Sequence, residues 1–204
     1  MKKALQPFAL FVALNLAFAA LTGCGGAAGN VNTETTAANI NTTKAANRSS
    51  EYPPLASGLA KTELEMLDGT KFTIADHQGK VLLLNLWGTW CGPCRAEMPH
   101  LVALKEKYGA QGFEILGMNV GDGQGSPEPN EVIEPFVAKM GLNYMIVRSP
   151  NSATREFYKV TKQDVVPQTL LVDREGHLRG VFIGGGGKVI ESMKQTLEKT
   201  LAEG

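Results

Sequence analysis

Val81-Leu82-Leu83-Leu84-Asn85-Leu86-Trp87-Gly88-Thr89-Trp90-Cys91-Gly92-Pro93-Cys94 is the stretch on which the reading of this 204-residue chain turns. The apolar run Val81–Trp87 has the length and composition of a buried strand. It feeds directly into two cysteines separated by two residues, and the following segment reads as a helix. Pro93 suits the first helical position, because its missing N–H would be unpaired there anyway. Cys91 then sits at the helix N-terminus, where the dipole and free amides favour a thiolate. Cys94 follows about 4.5 Å along the axis and on nearly the same face. That separation lies within reach of a disulfide. The spacing therefore predicts one exposed, acidic thiol and a neighbour able to close a ring onto it.

Other uses of two cysteines fit less well. Zinc normally takes four ligands, and the chain offers no second Cys pair and only scattered His77, His100 and His177. A c-type haem needs His directly after the second cysteine, where Arg95 stands. A static disulfide closing so small a loop gains little from chain entropy, so a switch makes better sense than a staple.

Upstream, Met1-Lys2-Lys3 and the apolar run Phe8 to Leu21 read as an export signal, too short for a comfortable membrane span. Ala17-Phe18-Ala19 resembles an ordinary cleavage site, and Leu21-Thr22-Gly23-Cys24 resembles the bacterial lipobox. The second pattern makes residues 1–23 the signal and Cys24 the lipid-bearing first mature residue. It also accounts for the third of 3 cysteines. Residues 24–54 are rich in Gly, Ala, Asn, Thr and Ser and cannot bury enough surface to offset their ordering entropy, so they read as a flexible tether. The chain is expected to be exported and lipid-anchored at a bacterial membrane, with its domain outside the cytoplasmic membrane.

Residues 55–204 suit one domain with one core. The 20 basic and 20 acidic residues balance, which leaves no basic field for nucleic acid. Leu64 to Ile74, with Asp68-Gly69 at its centre, reads as a hairpin. A helix is expected from Cys91 to about Tyr108, kinked at Pro99. Strands follow at Phe113–Asn119, Tyr144–Val147, Gln168–Val172 and Leu178–Ile183. Helices are expected at Glu131–Met140, Ser152–Tyr158 and Lys188–Leu201. Residues 121–129 form a loop without the acidic spacing of a calcium site. Gly184-Gly185-Gly186-Gly187-Lys188 lacks the spacing and the Ser or Thr of a phosphate loop. No metal or cofactor is expected. Alternating strands and helices that end in a hairpin and a helix describe an α/β three-layer sandwich with a mixed sheet.

The segment from Trp87 to Pro99 resembles the active-site segment of the thioredoxin superfamily, and more closely its membrane-tethered TlpA/ResA branch. The resemblance runs from Leu64 to the last residue. Pro99 matches the helix-kinking proline, and Val166-Pro167-Gln168-Thr169 matches the cis-proline loop beside the redox pair. Glu131–Val147 matches the helix and strand added in this branch, and Asn119-Val120-Gly121 is also similar. Gln168 departs from the commoner Thr, which bears on local substrate contacts.

The resemblance implies a protein-disulfide reductase. Cys91 attacks a partner's disulfide and Cys94 resolves the mixed disulfide. Trp90, Pro93 and Pro167 support the site. Plain thioredoxin carries an Asp base at the place of Asn85, which cannot accept a proton. Glu97, one turn beyond Cys94, matches the glutamate that this branch uses. Arg95 reads as an exposed charge. The implied partners are exported proteins with disulfides, apocytochrome c among them, and a membrane thiol electron donor. A thiol peroxidase, or a binding lipoprotein on a thioredoxin scaffold, are the alternatives. The adjacent Cys94 argues against the first, and the intact Cys91, Cys94 and Pro167 against the second.

Overall fold

The computed structural model describes residues 51–203; the expected signal, Cys24 and most of the expected tether lie outside them. Seven strands form one sheet: β1 (Glu63–Met66), β2 (Lys71–Thr73), β3 (Val81–Trp87), β4 (Phe113–Asn119), β5 (Met145–Arg148), β6 (Gln168–Val172) and β7 (Leu178–Ile183). Their order is β2-β1-β5-β4-β3-β6-β7. The three middle strands β5, β4 and β3 run parallel, and the flanking pairs are antiparallel. The sheet is therefore mixed, as expected. Five α-helices accompany it among the described residues: α1 (Ser57–Ala60), α2 (Gly92–Tyr108), α3 (Asn130–Met140), α4 (Asn151–Thr161) and α5 (Gly187–Glu203).

Strand alternation assigns the two faces. Leu82, Leu84 and Leu86 of β3 point into a core shared with Leu59 of α1 and with Ala153 and Phe157 of α4. Val81, Leu83 and Trp87 point into the opposite core. There they meet Met98 and Leu101 of α2, Ile133 of α3, and Met193 and Leu197 of α5. Helices thus cover both faces, giving three layers. Asn85 shares the period of Val81, Leu83 and Trp87, so the pleat aims a polar side chain at the layer that holds α2.

The added helix and strand are α3 and β5. Strand β5 enters the sheet between β1 and β4. Differences from expectation are local. Helix α4 runs on to Thr161, and β5 starts at Met145 rather than Tyr144. Helix α1 was not foreseen, since four residues cannot display a helical period. The structured chain also starts before residue 55. Leu178 N–H donates to the Pro53 carbonyl at 2.8 Å, and Pro54 forms an isolated bridge with His177.

Candidate active site

Strand β3 ends at Trp87, and a turn of three residues carries the chain to Cys91, the N-cap of α2. The helix starts at Gly92, so Pro93 occupies the second helical position rather than the first. The Cys94 N–H, third in the helix, donates to Cys91 Sγ at 3.1 Å. Free amides and the helix dipole both converge on that sulfur and favour negative charge there when it is reduced. Cys91 and Cys94 form a disulfide with an S–S distance of 2.02 Å. Cys94 is fully enclosed, and Cys91 is only 4% exposed. The expectation of an exposed first thiol is corrected in this disulfide state, because the Val166 carbonyl sits 3.8 Å from Cys91 Sγ and shields it.

The Val166–Pro167 bond is cis, as expected. Pro167 is buried, and Gly185 joins it to the helix start. A Cβ on Gly185 would lie 3.3 Å from Pro93 Cβ and 3.8 Å from Pro167 Cγ. The run of four glycines thus borders the site, a closeness its sequence did not reveal. Gln168 turns away from it: its Nε2 donates to the Gln163 and Val165 carbonyls at 3.1 and 2.7 Å. The residue that departs from the commoner Thr shapes the approach to Pro167 and makes no exposed surface of its own.

Glu97 is 1% exposed, not a solvated helix residue. Asn85 Nδ2 donates to its Oε1 at 2.7 Å and to Thr169 Oγ1 at 3.0 Å. Burial pushes the Glu97 carboxyl up to about 7, and the Asn85 hydrogen bond holds it down by less. Tyr144 packs nearby. Burial, with the Glu97 charge behind it, raises the pKa of its phenol. Gly117 makes room for Tyr144 and Trp87, since a Cβ there would lie 3.0 Å from the Tyr144 ring and 3.2 Å from Trp87 Nε1.

Trp90 is half exposed, and its Nε1 donates to the Gly121 carbonyl at 2.9 Å. That loop is anchored by Glu128, a buried residue that the sequence did not single out. Its carboxylate accepts from Asn119 Nδ2 at 2.7 Å and from the Thr89 hydroxyl. A lone Glu between Pro127 and Pro129 carries no periodic signal, so only the tertiary contact exposes its role. Arg95 is exposed, as read. Far from the disulfide, Asp173, Glu175 and His177 bring ligand atoms within 4.8 Å of one another. Asp173 is already occupied there: its Oδ1 accepts the backbone N–H groups of Glu175 and His177, and its Oδ2 lies 3.4 Å from Arg179 Nη1.

Residues 58–181 match the AhpC/TSA family. The chain belongs to that family. It is 37% identical over 135 residues to the thiol-disulfide oxidoreductase ResA of Geobacillus thermodenitrificans, covering 66% of this chain and 71% of the relative. Identity to the ResA of Bacillus subtilis is 31% over 121 residues, which cover 59% of this chain and 63% of that one. A thiol:disulfide interchange protein of the thioredoxin family from Chlorobium tepidum superposes with a TM-score of 0.61 at 22% identity, over 74% of this chain and 97% of that one. StoA from Bacillus subtilis gives 0.51 at 20%, over 67% and 95%. At these identities the solved structures establish the thioredoxin fold. The ResA relatives and the Cys91–Cys94 ring establish the enzyme class, a thiol-disulfide oxidoreductase.

Proposed function

We propose that this protein is exported, held at a bacterial membrane by lipid on Cys24, and reduces disulfides in other exported proteins, with apocytochrome c among its targets. Cys91 thiolate attacks one sulfur of the partner's disulfide. That bond breaks, a mixed disulfide forms, and the partner's other sulfur leaves as thiolate and takes a proton. Cys94 then gives its proton to Glu97 and attacks Cys91 Sγ. The bond from Cys91 to the partner breaks, the partner's second sulfur leaves as a thiolate that solvent protonates, and the Cys91–Cys94 ring forms. Two electrons and two protons from a membrane dithiol donor reopen the ring.

The observation that carries the reading is the placement of one buried carboxyl, with a pKa of about 7, one helical turn beyond the enclosed Cys94. A base poised near neutrality suits the proton that resolution must release. The ring itself speaks against a peroxidase, whose attacking cysteine would need to stand without a partner three residues away.

Trapping tests the assignment. Cys94→Ser should hold partners on Cys91 as mixed disulfides in membrane-fraction protein, while Cys91→Ser should hold none. Equal capture by both variants would overturn the order of attack. Cys24→Ala should abolish lipid attachment and leave a soluble or longer product. Mass spectrometry showing unmodified Cys24 in membrane-fraction protein would end the anchoring part.

A further inference from the structure

A groove opens beside the disulfide, between the loop after β4 and the segment that leads from α4 to Pro167. The loop contributes Val120 and Asp122, α4 contributes Tyr158, the segment after it contributes Asp164 and Val165, and Trp90 completes the lining. Val166 also lines it, and the Val166 carbonyl is the group 3.8 Å from Cys91 Sγ. The groove is therefore continuous with the reactive sulfur. A chain that docks in it is brought up to Cys91.

Two features set the chemistry of its occupant. Trp90 and Val165 are 49% and 46% exposed, large apolar side chains left open on either side of the approach. The charge is of one sign. Asp122 and Asp164 line the groove, no lysine or arginine does so, and among the described residues neither carboxylate forms an ion pair. Lys162, two residues before Asp164, lies outside the lining. Asp122 is fixed in place: its Oδ1 accepts the N–H groups of Gln124 and Ser126 at 2.9 and 2.8 Å. The Asp164 carboxylate stands against Tyr158 and, after burial, is the main reason that the phenol's pKa is raised.

We propose that this groove selects partner segments that carry a lysine or arginine beside an apolar residue next to the attacked cysteine, with Asp122 and Asp164 as the specificity-determining residues. The inference rests on the thiol-disulfide exchange reading of the same site and names the substrate class it prefers. Apolar contact with Trp90 and Val165 supplies sequence-tolerant affinity, and the carboxylates reward a cation and repel an anion.

The test uses the full chain in its reduced form and three capped peptides with an internal disulfide, identical except for Lys, Gln or Glu beside the first cysteine. A lysine speeds exchange on its own by stabilising the departing thiolate. The comparison is therefore between wild type and the double variant Asp122→Asn, Asp164→Asn, which keeps the Asp122 loop hydrogen bonds. At low ionic strength the wild-type Lys-to-Glu rate ratio should exceed that of the double variant by about 3- to 10-fold, the range of two partly exposed charge pairs. That excess should shrink in about 0.5 M salt. Equal ratios in the two proteins overturn the inference. Wild-type reaction with the uncharged bis(2-hydroxyethyl) disulfide separates the two levels. If it is absent, the exchange reading falls and takes this inference with it; a normal rate with equal ratios overturns the inference alone.

Discussion

Asn85 donates to Glu97 across the interface between β3 and α2, at 2.7 Å, with both residues buried. The strand's pleat and the helix's turn bring them together. In Asn85 the strand supplies a donor where plain thioredoxin carries a base. The ionisable group has moved to the helix, one turn from Cys94, where solvent cannot stabilise its charge.

That burial has a consequence for stability. The Glu97 pKa rises from an ordinary 4.5 to about 7 on folding, so the native state holds this proton more tightly than the unfolded chain. The contribution of this group to stability is then greatest below about pH 4.5, falls as pH rises toward 7, and levels off above it. A shift of that size corresponds to about 3 kcal/mol. Glu97→Gln keeps an acceptor for Asn85 and cannot ionise. Denaturant titration of the oxidised proteins should find the variant more stable at pH 8 by up to about 3 kcal/mol and nearly equal to wild type at pH 4. Parallel pH profiles for the two proteins would show that Glu97 titrates normally.

Glu128 gives a second prediction. Glu128→Ala strands the buried Asn119 Nδ2 and frees Thr89, two residues before Cys91. A buried donor left without a partner costs about 1–3 kcal/mol. Glu128→Gln, which retains an acceptor, should lose less. Denaturation midpoints of the two variants decide the matter, and a loss below about 0.5 kcal/mol for Ala would contradict the anchoring role.

Gly121 is the third. Its φ is +90°, and a Cβ there would lie 2.2 Å from the Ser126 carbonyl oxygen. Gly121→Ala must displace the loop at a cost of about 1–3 kcal/mol. The hydrogen bond from Trp90 Nε1 goes with it. Trp87 is buried and Trp90 is half exposed. The variant's change in tryptophan emission should therefore come from Trp90 and disappear in a Trp90→Phe background. Unchanged emission and stability would show that the loop tolerates a side chain.

Most of the fold was legible because its strongest signals are local. Val81–Trp87 is an apolar run closed by Gly88, and Phe113–Asn119 and Gln168–Val172 are mostly apolar stretches preceded by Gly112 and Pro167, so their ends agree with the sheet. Polar Lys159 and Thr161 hid the last turn of α4, and the four residues of α1 are too few to repeat. At the site, the pairing of Cys91 with Cys94 was legible from their spacing, and the positions of Glu97 and Pro167 came from the family resemblance. The closeness of Gly185 to Pro93, the clamp at Glu128 and the shielding of Cys91 by Val166 were not. Each joins residues distant in the chain, and no period in the sequence records such a contact.

Single-turnover kinetics of Glu97→Gln test the central claim, that Cys91 attacks, Cys94 resolves and Glu97 takes the proton of the second step. Stopped-flow mixing of the reduced protein with a peptide disulfide resolves formation and decay of the mixed disulfide. Loss of a general base is worth about 10²–10⁴-fold, and partial replacement by solvent places the expectation near the lower end. Resolution should slow by about 10²-fold at pH 7 while the first attack slows far less, so the mixed disulfide on Cys91 accumulates. Resolution that proceeds at the wild-type rate across the pH range would contradict the account and leave water as the base.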